Sequence, residues 1–240
     1  MTTATLTRPM LKIENLHAWY GESHVLHGID IELGEGQLIT LLGRNGAGRT
    51  TTLRAIMGMV SRRTGSIAIN GDEFIDKPAH RIAPLGRIGY CPEERGIFAS
   101  LTVEENLMLP PVVGEGGMSL SDIYGMFPNL REVRRRMGTR LSGGEQQMLA
   151  IARILRTGAR LLLLDEITEG LAPVIVKTLG EAIRRLKNQG YTIVLVEQNF
   201  RFAAEVADRH YVIEHGRVID TIEHADVKTS MDKLNHYLSV

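Results

Sequence analysis

The run Gly43-Arg44-Asn45-Gly46-Ala47-Gly48-Arg49-Thr50 spaces three glycines, a cation and a hydroxyl as a phosphate-wrapping loop does. Glycine lets backbone close round an anion with successive N–H groups turned inward. The stretch 50–57 can be helical, and the positive end of that helix adds attraction for the same anion. Thr50 can offer its hydroxyl to Mg2+, and Thr51 can reach the α-phosphate region. A dinucleotide fingerprint fits less well, because position 51, where a third glycine would fall, is threonine. Arg49 stands where such a loop ordinarily carries lysine. It keeps the charge, but its fork is longer and planar, so the exchange is not conservative at a tight site. Nucleotide could still bind through loop amides and Mg2+. The cost would fall on stabilising charge during γ-phosphate transfer.

A second constellation, Leu161-Leu162-Leu163-Leu164-Asp165-Glu166, ends an apolar run in two carboxylates, 116 residues after Arg49. Many buried strands end in a solvated acid, so this pattern gains its force from the loop ahead of it. In that company Asp165 is placed to hold Mg2+ and Glu166 to polarise an attacking water. Between the two lies Leu141-Ser142-Gly143-Gly144-Glu145, ahead of the helical run 148–155. A serine and two glycines there form either a second anion-binding nest or a simple capped turn.

These groups need rigid elements behind them. Residues 11–16 and 27–33 alternate apolar and polar like half-buried strands, and 66–71 does so up to an Asn-Gly turn. The run 37–42 is mostly apolar, as a strand covered on both faces should be. From about 100 to 158 the character is helical, with Thr102 and Glu105 spaced as a capping box. Strands at 161–164, 192–196 and 210–213 then alternate with helices at 173–189 and 200–208, which predicts a parallel sheet with crossover helices. Residues 110–117 read as a loop inside a domain, and no linker or repeat divides the chain.

Composition narrows the function further. The 240 residues carry 28 basic and 28 acidic side chains, which argues against a basic field that holds nucleic acid. A single cysteine, Cys91, excludes an internal disulfide and a CxxC metal site, and reads as a buried small hydrophobe. The eight histidines are scattered without paired ligand spacing, so each reads as a surface or core residue. Arg134-Arg135-Arg136 reads as a solvated helical face. The opening MTTATLTRPML lacks the apolar core of a secretory leader, and no run is long enough to cross a bilayer. A membrane role would therefore come through a partner.

In their order, Tyr20, the loop at 43–50, the LSGGE run at 141–145 and the acids at 165–166 resemble the ATP-binding subunits of ABC transporters. The resemblance runs from Leu11 to Val218. It implies an α/β P-loop nucleotide-binding domain over 11–240, with a parallel-sheet core, an N-terminal antiparallel β subdomain, a helical subdomain at about 94–158 and a tail at 1–10. It also implies a head-to-tail dimer in which each ATP is held by one chain's loop and by Ser142, Gly143 and Gly144 of the other, with Tyr20 stacked on adenine. Glu93 stands where most of the family has glutamine, Gln198 where most has a switch histidine, and Glu169-Gly170-Leu171-Ala172-Pro173 replaces the common SALD. These variants resemble the importers for branched-chain amino acids and the related urea and short-amide importers. In that reading Glu93 meets Mg2+ or water, and Gln198 hydrogen-bonds the γ-phosphate without carrying a proton charge. Membrane permease subunits, a second and different ATPase chain and, indirectly, an extracytoplasmic binding protein become the expected partners, at the cytoplasmic face of the plasma membrane. Apolar residues within 98–109 would meet the permease. Arg49 and Ile167, the latter in place of a proline, depart from the pattern and put turnover rate and local backbone shape in question.

Overall fold

Alternating apolar residues from 11 to 33 build two antiparallel strands, β1 (Leu11–Tyr20) and β2 (Ser23–Leu33), in a computed structural model that describes residues 8–238. Of the tail expected at 1–10, residues 1–7 lie outside the described residues, and Met10 is already buried with its carbonyl accepting from Asn70. The apolar strand β3 (Leu38–Leu42) leads through the glycine loop into helix α1 (Arg49–Ile56). Strand β4 (Arg62–Ile69) returns along β1 and turns at Asn70-Gly71 into the short β5 (Asp72–Glu73). Together they form a four-stranded antiparallel sheet in the order β2-β1-β4-β5.

Helix α2 (Ala79–Gly86) and strand β6 (Ile88–Cys91) follow, then the helical stretch α3 (Val103–Met108), α4 (Leu120–Met126), α5 (Pro128–Glu132) and α6 (Gly143–Arg156). The last third alternates β7 (Leu161–Asp165), α7 (Pro173–Asn188), β8 (Thr192–Val196), α8 (Phe200–Val206), β9 (Arg209–Glu214), β10 (Arg217–Glu223) and α9 (Met231–Leu238). The second sheet runs β10-β9-β3-β8-β7-β6, parallel except for β10.

Both faces of that sheet's central strands are covered, which is why β3, β7 and β8 are almost entirely apolar and fully buried. Leu162, Leu164, Ile193 and Leu195 share a core with α3, α6 and α7. Leu161, Leu163, Val194 and Val196 pack with the antiparallel sheet and α1. The strands thus meet the loops bearing the acids with no freedom to shift register.

Two expectations are corrected. Arg134-Arg135-Arg136 is no helical face, because α5 ends at Glu132 and the arginines form an exposed turn. Carbonyls of that turn are used instead: Arg136 and Arg134 accept from the N–H groups of Val103 and Glu104 at the start of α3. The histidines are not all scattered, because β1–β2 pairing sets His17 opposite His27 and brings His24 beside both. Cys91 is buried as expected, and burial pushes its thiol up to about 12.

Candidate active site

The glycine loop lies between the end of β3 and the start of α1. Gly43 sits at φ +150, and a Cβ there would lie 2.2 Å from the Ile213 carbonyl oxygen, so only glycine fits beside β9. Gly48 caps α1 without any side-chain bond to its first N–H groups, which leaves those donors for an anion. The loop borders a cleft of about 310 Å³ lined by Val25, residues 45–51, Glu93, Glu166, Glu169 and Gln198.

Within the cleft the acids and the loop are knitted together. Arg49 Nη2 donates to Glu166 Oε1 at 2.8 Å and to Asn45 Oδ1 at 3.2 Å. Gln198 Nε2 donates to the other Glu166 oxygen at 2.9 Å and to Asn45 Oδ1 at 2.7 Å. Arg49 is only 4% exposed, and its Nη1 is buried with no hydrogen-bond partner. An orphaned guanidinium N–H beside free helix-end amides fits a phosphate oxygen. Glu166 itself has left-handed backbone, φ 47, fixed by its N–H donating to Val196 and by fully buried Ile167 behind it.

Thr50 donates its hydroxyl to Asp165 Oδ1 at 3.0 Å, and Tyr90 donates to Oδ2 at 3.4 Å. Burial, with the nearby charges of Glu166 and Glu93, raises the Asp165 carboxyl to about 6 against the Thr50 bond. Hydroxyl and carboxylate oxygens at this spacing fit a hard cation such as Mg2+. Glu93, Glu166 and Glu169 bring carboxylate oxygens within 4.8 Å of one another, and burial and Glu166 raise the Glu169 carboxyl.

Not every expected residue converges. Arg44 borders a second pocket on the far side of the loop with Asn45, Gly46 and Ala47. Tyr20 is 36% exposed at the end of β1, and with Tyr90 its hydroxyl supports the Arg54 guanidinium. Trp19 is engaged elsewhere, between His24 and Arg62. Ser142 caps α6 in a reciprocal box with Glu145, and Gly144 packs under Ile175. Neither Ser142, Gly143 nor Gly144 lines the cleft of its own chain.

The ABC transporter family matches residues 26–169. The high-affinity branched-chain amino acid transport ATP-binding protein BraG of Pseudomonas aeruginosa is 40% identical over 214 residues, 88% of this chain and 91% of its own. The chain belongs to the ABC transporter family. It is an ABC-type ATPase. A probable branched-chain amino acid transport ATP-binding protein, LivF of Archaeoglobus fulgidus, is 37% identical over 87% of this chain and 90% of its own. Among solved structures, an ATP-binding subunit of an ABC transporter superposes with a TM-score of 0.79 at 26% identity, over 96% of this chain and all of that one.

Two residues of this ABC cassette escaped the sequence reading. Glu169 enters the cleft because the turn after β7 folds back, its N–H donating to the Glu166 carbonyl. Glu197, 2% exposed, accepts from the Thr168 N–H at 3.1 Å and from its hydroxyl at 2.9 Å. An acid closing a wholly apolar strand was the available sign for Glu197, since such a group must find partners.

Proposed function

We propose that this chain powers an importer for branched-chain amino acids, acting at the cytoplasmic face of the plasma membrane through integral permease subunits. The convergence of Arg49, Thr50, Asp165, Glu166 and Gln198 on one cleft carries the ATPase chemistry. The solute class rests on the relatives BraG and LivF, whose names specify branched-chain amino acid transport. Urea or short amides are the alternative cargo. Among the described residues no helix is long and apolar enough to cross a membrane, in keeping with a borrowed permease. Phe98, Met108 and Leu109 are half exposed near α3 and offer that permease an apolar surface.

In this reading the N–H groups of Gly46, Ala47, Gly48, Arg49, Thr50 and Thr51 wrap the phosphates, and Tyr20 stacks on adenine. Thr50 and Asp165, with Glu93 beside them, would hold Mg2+, which supplies charge neutralisation at the phosphate oxygens. Arg49 turns from Glu166 to the β- and γ-phosphates. That frees Glu166 to take a proton from the attacking water, while Gln198 donates to the γ-phosphate. Ser142, Gly143 and Gly144 of a second, different ATPase subunit close the site from the other side. Hydrolysis then reopens the pair and lets the permease change access.

The test is reconstitution with the permease and its binding protein. Leucine, isoleucine or valine should raise ATP turnover, whereas stimulation by urea or a short amide alone would overturn the cargo assignment.

The Arg49–Glu166 pair favours a second reading, a weakly hydrolysing regulatory module, because the base is tied to the cation it must leave. Arg49→Lys distinguishes them. A turnover rise of about tenfold or more at similar ATP affinity supports the weak enzyme. Unchanged turnover sinks it.

A further inference from the structure

The antiparallel sheet carries a polar cluster that ATP hydrolysis does not use. On its solvent side His24 Nε2 donates to His17 Nδ1 at 3.1 Å, and His17 Nε2 donates to the Asn15 side-chain oxygen at 3.1 Å. The His27 ring lies against His24 with centroids 4.0 Å apart, and Trp19 stacks on His24 at 4.2 Å with planes 11° apart.

Two imidazole nitrogens bound to one dication, each about 2.1 Å from it, lie roughly 3.0–3.4 Å apart for bond angles between square and tetrahedral. The 3.1 Å between His17 Nδ1 and His24 Nε2 falls in that range. Ligating histidines are usually oriented by a bond from the other ring nitrogen, and Asn15 already supplies it for His17. The backbone is shaped around this pair. Asn15 has left-handed φ 46 at a break in strand register, and its N–H donates to Asp30 at 2.8 Å. Opposite, Gly28 at φ +91 leaves room, because a Cβ there would lie 2.9 Å from the Asn15 side-chain oxygen.

We propose that His17 Nδ1 and His24 Nε2 bind a borderline transition-metal dication such as Ni2+, Cu2+ or Zn2+. His24 carries its proton on Nδ1 in the bound form, and His17 keeps its own on Nε2. Nitrogen donors select these ions over Mg2+, so the site is independent of the phosphate cleft.

Trp19 is the one tryptophan in the chain and stacks on a proposed ligand, so its fluorescence reports occupancy. The full chain is titrated with NiCl2 and with CuCl2, with Mg2+ as a control. Saturable quenching at one equivalent is expected, with none from Mg2+. His17→Gln and His24→Gln should each weaken it at least about tenfold, as should Asn15→Ala through loss of orientation. His80→Gln, on α2, should leave it unchanged. Circular dichroism establishes that each variant is folded, and electron paramagnetic resonance of the Cu2+ form should show nitrogen ligands. Non-saturating quenching, a midpoint unchanged from the parent in either histidine variant, or oxygen-only ligation would overturn the site.

Discussion

Glu166 has both carboxylate oxygens committed, one to Arg49 and one to Gln198, so neither is free for a water until phosphate competes for the arginine. That competition is plausible because Arg49 retains an unpartnered Nη1 beside the uncapped start of α1. If Glu166 is the base, Glu166→Gln keeps the shape and one of the two acceptor positions, facing either Arg49 or Gln198, but loses proton acceptance. Phosphate release should fall about 10²- to 10⁴-fold while nucleotide binding persists. Turnover equal to the parent would remove Glu166 from the mechanism. The motif residues themselves were legible, since glycine, acid and hydroxyl spacings are local. The Arg49–Glu166 ion pair was not, because 117 positions separate its ends and only the strand order β3-β8-β7 brings them near.

Elements with a continuous apolar run or one clear period were readable for the same reason: β3, β7 and β8 are apolar runs that packing on both sheet faces enforces, and α7 repeats a helical period. Strand β6 was missed because its four residues Ile-Gly-Tyr-Cys show no alternation. The stretch from 100 to 158 reads as helical but is broken into short pieces, whose ends depend on caps such as Thr102–Glu105 and Ser119–Asp122. At the end of β8, Glu197 ties that strand to the turn after Glu166, and burial raises its carboxyl from 4.5 to about 7 despite the Thr168 bonds. A raised carboxyl means the folded state holds its proton to higher pH than the unfolded chain. Its contribution is therefore complete below about pH 4.5 and is lost as pH rises through 7. Urea midpoints measured without Mg2+ should fall across that window, and Glu197→Gln should flatten the fall. Asp165, raised to about 6, leaves a residual slope in the variant. A slope that is unaltered in Glu197→Gln would show that the carboxyl titrates normally.

At the scale of the molecule, the proposed pairing makes one chain carry two halves of different sites. The cleft holds the loop, the acids and Gln198, while Ser142 at the start of α6 is exposed and lines no part of it. With 28 basic and 28 acidic side chains there is no net charge to hold two such chains apart or together, so in the proposed pair the triphosphate would be the adhesive. A variant that binds ATP without hydrolysing it should therefore accumulate as a closed pair. Glu166→Gln with ATP is expected to sediment as a dimer, and without nucleotide as a monomer. Ser142→Arg should abolish the dimer while leaving ATP affinity of the single chain unchanged, because Ser142 lines no part of that chain's own cleft. Dimerisation only when the second ATPase subunit is added would establish a mixed pair. A monomer in both mixtures would mean that the α6 start does not face a partner's phosphates, and the two-chain site would have to be abandoned.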